Sequence, residues 1–477
     1  MGSYSFLLTK ECRIYAACGV LQTPIINTYS GGGDPTYEIQ EKPSEEVLGQ
    51  TITSNYVSAN ITTLSNKETL TGMVKVRGNG STIQQKNSYK LKFNKDVQLM
   101  TEGDYSYKEW VLLNNGDSLN TWIGCYVSRA CGVDWVVPCQ FVNVIMNGDW
   151  KGTYYLTPGV SVEASEGRIG QKGFLLENDA YWWADNQVYF RSNYKKDEPY
   201  FGWTLKYPKV NSSKSQECID IKNYILSLED SLKSDEWINY INEDDFASWI
   251  LAKDILGVSD GGGSNMYYYM SEFDAQEPTK SELFIGPTWD FDSMYGTKDT
   301  WSCHGAPFYD ELFSNERFKN LYTEKWINLA DILCENIDKE FGAIQDALGR
   351  DLDESWKIEE ERYNKKIESI DEQWSEAGKW YKRRVAWLNN ATEQPAFVES
   401  SLILDNSWKY KTGMLNYELE NSTQSGQVEL LSGWAYVMGH ETDANYGEIV
   451  YLTKDGAFYT NGVPRNDIMD KYSLDTK

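Results

Sequence analysis

The sequence DGGGSNMYYYMSEFDAQEPTKSELFIGPTWDFD runs from Asp260 to Asp292. Its apolar run at residues 266–270 and the shorter run at 283–286 predict two strands, because turn-forming residues bound both runs and a polar segment joins them. Helical periodicity precedes this stretch and ends at Gly257. The sequence therefore predicts a helix that leads through a glycine-rich loop into a hairpin.

Acidic and amide side chains flank the predicted hairpin. Asp260 and Asn265 precede it, and Asp290 and Asp292 follow it. Protein kinases use this order: one Asp accepts the proton of the substrate hydroxyl, an Asn binds metal, and an Asp after the second strand holds Mg²⁺. Asp260 and Asn265 alone fit an ordinary Asx-rich loop. The combined order of loop, strands and acidic residues favours a phosphoryl-transfer site.

A phosphate site also needs a cation, and four candidates lie earlier in the chain. Arg77 follows one predicted strand, Lys86 precedes the next, and Lys90 and Lys92 alternate within it. Because side chains two residues apart share a face of a strand, we expect Lys90 and Lys92 on the same side of the sheet. The alternative is that these lysines are the outward basic residues of an amphipathic strand.

The chain as a whole predicts an α+β protein. After an N-terminal segment at residues 1–19, residues 20–210 are rich in period-two alternation and predict a twisted sheet, with one helix near 117–133. Asn147-Gly148 separates two strand patterns and is a strong signal for a tight hairpin. This part of the chain is expected to form a β-rich lobe.

Helical patterns dominate residues 211–394, including a continuous helical region from 315 to about 391. Residues 395–477 predict a small antiparallel β module with a turn at Lys454-Asp-Gly. Its strand patterns stop soon after Arg465, as expected of an incomplete module. We place a domain boundary near residue 395.

The long helical region has an apolar stripe and many charges. Trp356 and Tyr363 belong to the stripe, with spacings typical of a buried helix face. The run Glu359–Glu361 stands against Lys365 and Lys366 further along the chain. This pattern favours a solvated face with pairing between successive turns over a binding tail.

The acidic composition excludes several partner classes. The 477 residues contain 45 Lys+Arg and 71 Asp+Glu, which gives a formal net charge of −26. Such a surface repels nucleic acid and anionic lipid, and it would steer a basic partner toward the protein. The alternative is that the acidity only keeps the protein soluble. No apolar run approaches the roughly 18 residues of a membrane helix, so no membrane span is expected. Two histidines and the absence of CxxC pairs argue against a zinc site.

Several sequence blocks together resemble the CotH kinase family of spore-coat proteins. The resemblance runs from about residue 20 to 390, and the blocks occur in the family's order, which is far more specific than any one block. They are Arg77-Gly-Asn-Gly-Ser, Lys86-Asn-Ser-Tyr-Lys-Leu-Lys, Trp110-Val-Leu-Leu-Asn-Asn-Gly-Asp, Val144-Ile-Met-Asn-Gly-Asp-Trp-Lys-Gly-Thr-Tyr-Tyr-Leu, Asn265-Met-Tyr-Tyr-Tyr and Trp289-Asp-Phe-Asp.

The resemblance implies an atypical, two-lobed protein-kinase fold with a β-rich N-terminal lobe and a helical C-terminal lobe. It also implies transfer of the ATP γ-phosphoryl group, with Mg²⁺ or Mn²⁺, to Ser or Thr of a partner protein and to the enzyme itself. The acidic body suits a basic, Ser-rich substrate. The family resemblance suggests the spore coat or cell envelope as location, and the C-terminal module is a candidate for binding a protein or a glycan.

By position, the resemblance implies that Asp260 is the catalytic carboxylate. Asn265 and Asp290 would bind the metal, with Asp292 beside them. One of the three lysines would contact phosphate, and Arg77 would bind nucleotide or anchor its loop. The residues leave open whether that lysine is Lys86, Lys90 or Lys92.

The sequence departs from the family pattern in two places. Three glycines stand after Asp260 where a larger polar residue is expected, and Asn87-Ser88 follows Lys86 where a second lysine and a proline are usual. These departures keep open an alternative in which the protein is a catalytically inactive, kinase-like scaffold for surface or coat assembly. A third interpretation is a small-molecule or sugar kinase.

Overall fold

The computed structural model describes most of the first 392 residues and, beyond them, four strands. The described residues are 21, 24–28, 34–36, 38–41, 50–62, 68–78, 85–101, 103–178, 188–194, 201–259, 265–296, 300–303, 306–392, 415–425, 428–437, 448–453 and 456–461. They divide into two compact units, Met1–Arg384 and Val385–Lys477. Because residues 393–414 lie outside the described ranges, the boundary near 395 stays a prediction.

The N-terminal part of the first unit forms a closed barrel. The strands here are β1 (Ile25–Thr28), β2 (Glu38–Glu41), β3 (Gln50–Thr53), β4 (Val57–Thr62), β5 (Thr69–Arg77), β6 (Ser88–Val97), β7 (Tyr107–Leu113), β8 (Gln140–Met146) and β9 (Asp149–Pro158). β2 and β3 pair with each other, and the other seven strands close in the order β1-β4-β5-β6-β7-β9-β8. The sequence predicts only a twisted sheet, whereas the sheet in the structure closes into a barrel because β1 pairs with both β4 and β8.

Period-two alternation in β5 and β6 fills the barrel with apolar side chains. The buried residues on these two strands include Leu70, Val74, Val76, Tyr89, Leu91 and Phe93. Lys90 and Lys92 occupy the intervening positions of β6 and are half-buried. The prediction that they share a face is confirmed, because both ammonium groups contact the carboxylate of Glu109 on β7.

The predicted hairpin at Asn147-Gly148 is confirmed. These residues join β8 to β9, and their φ angles are 53° and 78°. A two-residue turn with both φ angles positive matches the right-handed twist of the strands, and Asn-Gly is the pair that adopts it most readily. The turn sets the first pairs of β9, and after a register shift between Val144 and Ile145 this strand carries Gly152 and Thr153 to the candidate site.

A second sheet of five strands lies within the same unit. Its strands are β10 (Phe174–Asn178), β11 (Tyr189–Phe190), β12 (Trp203–Tyr207), β13 (Met266–Met270) and β14 (Phe284–Ile285). They lie in the order β11-β12-β10-β13-β14. Every residue of β13 is buried, as expected for a continuous apolar run between two neighbouring strands. The predicted hairpin is therefore present, and β14 ends the sheet.

The helices of the described residues confirm the α+β class. They are α1 (Asn120–Ala130), α2 (Gln216–Ser231), α3 (Glu243–Leu256), α4 (Tyr309–Ser314), α5 (Glu316–Tyr363) and α6 (Ile370–Ala391). α3 begins after Asn242, whose side chain accepts from the backbone N–H of Asp245, and ends at Gly257 with φ 61°. Asn is a preferred N-cap residue, and Gly readily adopts the left-handed conformation after a helix. The predicted end of this helix is confirmed.

The prediction of one continuous helical region from 315 to 391 is wrong at its centre. α5 ends at Tyr363, and Asn364 follows in the left-handed conformation with φ 48°. Asn tolerates this conformation better than most residues, so it ends the helix. The connection at residues 364–369 then turns the chain into α6.

The second unit contains two antiparallel strand pairs. They are β15 (Leu415–Ser425) with β16 (Val428–Val437), and β17 (Glu448–Thr453) with β18 (Gly456–Asn461). Thr453 pairs with Gly456. Residues 454 and 455 lie outside the described ranges, so the turn at Lys454-Asp-Gly stays a prediction. In the described part of the chain, we find no helix that is both long and apolar enough to cross a membrane.

Candidate functional site

Lys86 and Glu359 form a buried ion pair between the barrel and α5. The Lys86 ammonium donates to the Glu359 carboxylate and, at 2.6 Å, to the backbone carbonyl of Thr153 on β9. The other carboxylate oxygen of Glu359 accepts from the backbone N–H of Thr153 at 2.7 Å. Lys86 is 8% exposed and Glu359 1%. Two chain segments, β9 and α5, thus hold the Lys86 ammonium in position.

Gly152 makes room for this pair. Its φ is 111°, and a Cβ at this position would lie 2.6 Å from Oε2 of Glu359 and 3.1 Å from Cε of Lys86. Glycine accepts this backbone conformation and the close approach, and other residues do not. The backbone of Gly152 and Thr153 therefore packs directly against the side chains of Lys86 and Glu359.

Burial and charge act in opposite directions on the two groups. Burial lowers the pKa of Lys86, while the carboxylates of Glu359 and Asp117 raise it. Burial also raises the pKa of Glu359, and Lys86 works against that shift. The opposite charge of each group therefore offsets part of the effect of burial on the pKa of the other, as is general for buried ion pairs.

The ion pair lies in the wall of a cavity of about 470 Å³. This volume falls within the range of small-molecule sites in proteins. The residues that line the cavity are Gln85, Lys86, Asn114, Asn115, Asp117, Ser118, Asn120, Asp292, Glu359, Tyr363, Lys365 and Ile367. The cavity therefore brings together Lys86 and Asp292, which are 206 positions apart and were both predicted as site residues.

The donors at the cavity fit a hard cation such as Mg²⁺. Asp292 supplies a carboxylate, and the side-chain oxygen of Asn115 is buried with no hydrogen-bond partner. Mg²⁺ prefers oxygen ligands, keeps several waters and takes few protein ligands, so a sparse oxygen set suits it. Within the described ranges, no group of three or more His, Cys, Asp and Glu side chains is arranged as a metal cluster.

The segment that carries Asp292 is anchored from three sides. Arg77 at the end of β5 lies over the ring of Trp289, 5.6 Å from the guanidinium carbon to the ring centre. The ammonium of Lys253 on α3 donates to the carbonyl of Trp289 at 3.0 Å. Phe291 packs against Gly124 of α1, where a Cβ would lie 2.3 Å from its ring. Arg77 thus helps to anchor the segment that carries Asp292, and its predicted roles, binding nucleotide or anchoring its own loop, stay predictions.

Asp290 and Asn265 both adopt the left-handed backbone conformation, with φ angles of 58° and 56°. This conformation is uncommon outside glycine and is concentrated at functional sites. Tyr268 pairs with Ile285 across the hairpin, so Asn265 and Asp290 lie at the same end of the β13–β14 pair. Asp290 is not among the cavity-lining residues, so the cavity points to Asp292 as the carboxylate that faces Lys86. The preference for Asp290 as the main metal ligand stays a prediction.

Asp260 lies outside the described residues, as do the three glycines after it. Its preceding neighbour, Ser259, donates its backbone N–H to the carbonyl of Ser293 at 3.2 Å. Ser293 directly follows Asp292, so the start of the predicted catalytic loop is attached to the end of the predicted metal-binding segment. A second bond, from the N–H of Tyr295 to the carbonyl of Leu256, continues this attachment at 3.0 Å.

Lys90 and Lys92 lie on the outer face of the barrel. Their ammonium groups are 2.7 Å and 3.4 Å from carboxylate oxygens of Glu109. Burial alone would raise the pKa of Glu109, but the two lysines lower it. Neither lysine lines the cavity. Of the three lysines that the sequence left open, Lys86 is the one that the structure brings beside Asp292.

Sequence reasoning missed Glu359 and Asp117. Glu359 was assigned to a solvated face, which is wrong, because it is buried. A usable signal existed: Glu359 lies three residues after Trp356 and four before Tyr363, on the apolar stripe itself. Asp117 ends one of the family-like blocks, but its position in that block gave no indication of a partner.

The sequence matches the family model described as "CotH kinase protein" over residues 74–388, well over half of the chain. The matched range begins in β5 and ends in α6, so it contains the cavity and both members of the buried ion pair. No curated protein matches the sequence.

Proposed function

The chain belongs to the CotH kinase family, and from this membership we propose that it transfers the γ-phosphoryl group of ATP to Ser or Thr of a partner protein. The buried Lys86–Glu359 pair, facing Asp292 across one cavity, is the observation that carries the proposal. Protein kinases require a Lys–Glu ion pair and a metal-binding Asp in place together. Here the glutamate comes from α5, near the end of the matched range.

When bound, ATP and Mg²⁺ or Mn²⁺ supply the phosphoryl group and neutralise the charge on its oxygens. Lys86 would donate to a phosphate oxygen, and Glu359 and the Thr153 backbone would keep its ammonium in position. Preorganised donors of this kind need no rearrangement during the reaction. Asp292, with Asp290 and Asn265 at the same end of the hairpin, would hold the metal.

Asp260 would accept the proton of the substrate hydroxyl, as the family resemblance implies. The hydroxyl oxygen would bond to the γ-phosphorus while the bond from that phosphorus to the β-phosphate oxygen breaks, and ADP leaves. The net charge of −26 favours a basic partner, such as a Ser-rich protein with many Lys and Arg residues, through faster encounter. The two-lobed kinase architecture is part of the same proposal.

The test is incorporation of label from [γ-³²P]ATP, with Mg²⁺ or Mn²⁺, into a basic Ser-rich protein and into the enzyme itself. We expect label with wild type and with Lys90→Met. We expect a loss of at least about 100-fold with Lys86→Met and with Asp292→Ala, because each removes a group that acts on the transferred phosphate. Asp290→Ala, compared with Asp292→Ala, decides which aspartate is the main metal ligand.

A thermal-shift titration with Mg²⁺ and ATP completes the test, since a ligand that binds only the folded state raises its stability. Nucleotide-dependent stabilisation without any labelling would favour an inactive, nucleotide-binding scaffold. If nucleotide produces no stabilisation and the assay shows no labelling, the kinase proposal is overturned, and a scaffold that does not bind nucleotide remains. Turnover that depends on an added metabolite would instead indicate a small-molecule kinase.

A further inference from the structure

The connection between α5 and α6 forms part of the cavity wall. It contributes Lys365 and Ile367 to the lining. The Lys365 ammonium lies 2.6 Å from a carboxylate oxygen of Asp117, which comes from the loop between β7 and α1. The Lys365 side chain is 64% exposed and that of Asp117 is 10% exposed. The pair therefore joins an exposed lysine to a carboxylate inside the cavity.

The backbone of this connection is anchored to the opposite wall. The side-chain amide of Gln373 donates to the carbonyls of Asp117 and Glu368, each at 3.0 Å. Its oxygen accepts from the N–H of Leu119 at 3.0 Å. The N–H of Ile370 donates to Asp353 at 3.0 Å. These bonds hold the connection at its α6 end, while the Lys365 side chain extends from it over the cavity.

The charges of the cavity leave a role for a second cation. Three carboxylates line it, those of Asp117, Asp292 and Glu359, against two ammonium groups, those of Lys86 and Lys365. Lys86 already donates to Glu359 and to the Thr153 carbonyl, which occupies two of its three N–H donors. A polyphosphate chain carries several negative charges, and Lys86, which has one N–H donor left, neutralises only a small part of that charge.

Because the Lys365 side chain is 64% exposed, solvent screens its ammonium and weakens its pairing with Asp117. A phosphate group offers more negative charge and three acceptor oxygens, so it competes well with a single carboxylate for an ammonium group. Lys365 can therefore leave Asp117 when a phosphate enters the cavity, without any change in the anchored backbone.

We propose that Lys365 binds the terminal phosphates of a nucleoside di- or triphosphate in this cavity, and that Asp117 holds Lys365 aside until the nucleotide enters. This inference rests on the proposed function, because it requires that the cavity takes a nucleotide. It adds a phosphate-binding residue outside the four basic residues that the sequence predicts, and a device that couples its position to nucleotide binding.

The test is the affinity for ATP, ADP and AMP, measured by calorimetry with wild type, Lys365→Met and Lys366→Met. Lys366 is the matched control, because it is an exposed lysine on the same connection and does not line the cavity. We expect Lys365→Met to weaken ATP and ADP binding about tenfold and to leave AMP binding within about twofold, because AMP lacks the terminal phosphates. Lys366→Met is expected to match wild type.

Equal weakening for all three nucleotides, or no weakening, would overturn the inference while leaving nucleotide binding established. If wild type binds none of them, the proposed function fails and the inference fails with it. The two failures are therefore distinguishable in one set of titrations.

Asp117→Asn tests the holding role separately, with ADP and EDTA so that no metal contributes. Releasing Lys365 should raise the ADP affinity about threefold, and this gain should vanish in Asp117→Asn combined with Lys365→Met. A gain of the same size in both backgrounds would mean that Asp117 repels phosphate directly, which would overturn the holding role.

Discussion

Lys86 and Lys90 lie four positions apart in the chain, and their surroundings differ in every respect. Lys86 is buried, and its partner Glu359 lies 273 positions away. Lys90 is half-buried on the outer face of the barrel, and its partner Glu109 lies on the neighbouring strand. The partner of the buried lysine is distant in sequence, so their contact depends on the whole fold. The partner of the lysine on the outer face lies on the neighbouring strand, so their contact depends only on the pairing of two strands.

The largest expected effect separates these two lysines directly. Lys86→Met leaves the buried Glu359 without its counter-charge, and removing one partner of a buried pair typically costs about 3–5 kcal/mol of unfolding free energy. Lys90→Met, the matched control, breaks a half-buried pair on the outer face of the barrel and should change the unfolding free energy by about 1 kcal/mol or less. Urea denaturation measures both. Similar losses in the two variants would break the comparison.

Asp245 is a buried carboxyl group whose partners are backbone N–H groups instead of a lysine, and it makes the unfolding free energy depend on pH. Asp245 accepts the N–H groups of Asp134 and Ile285, each at 3.0 Å, and burial raises its pKa to about 7. Unfolded, this carboxyl ionises near 3.8. The stabilisation by the protonated form is therefore complete below pH 4 and is lost as pH rises through 7, by about 3 kcal/mol between pH 5 and 8.

Unfolding free energies at pH 5 and pH 8 check this expectation. Asp245→Asn does not titrate, so the stability difference from wild type should shrink as pH rises. Asp244→Asn is the control, because the Asp244 side chain is 64% exposed and pairs with Lys325. A wild-type profile parallel to that of Asp245→Asn would contradict the shifted pKa.

The smallest expected effect tests the space around the buried pair. Gly152→Ala would place a Cβ 2.6 Å from Oε2 of Glu359. Strain and overpacking of this kind cost about 1–3 kcal/mol. Gly148→Ala is the control, since Gly148 also has a positive φ of 78°, but a Cβ added there would meet no atom within 4 Å.

Thermal midpoints of the two variants, with and without nucleotide, give the answer. Gly148→Ala should lose stability through backbone strain alone and keep its response to nucleotide. Gly152→Ala should lose more and respond less, because its Cβ displaces the carboxylate that positions Lys86. Equal behaviour would mean that the close packing at Gly152 is not needed for the pair.

Features set by neighbouring residues were predictable from the sequence. The alternation of β5 and β6, the Asn147-Gly148 turn and the end of α3 at Gly257 all depend on interactions within a few residues. The family-like blocks also indicated Lys86, Asn265 and Asp292 as site residues. Of these, Lys86 and Asp292 line one cavity.

Features set by distant partners were not predictable. Closing the barrel requires β1 to pair with β8, which a local pattern cannot express. The place of Glu359 on the apolar stripe indicates that it is buried, but no local pattern indicates that its partner is Lys86, 273 positions away. The roles of Asn265 and Asp290 stay predictions, and Asp260 lies outside the described residues.

The separation between Lys86 and Glu359 has a consequence for synthesis of the protein. At about 5–20 residues per second, a ribosome needs roughly 14–55 s to proceed from the lysine codon to the glutamate codon. The barrel strands through β9 emerge well before α5 is complete. During that interval Lys86, which directly precedes β6, still lacks the carboxylate of Glu359. The cavity beside Lys86 is therefore among the last parts of the unit to become complete.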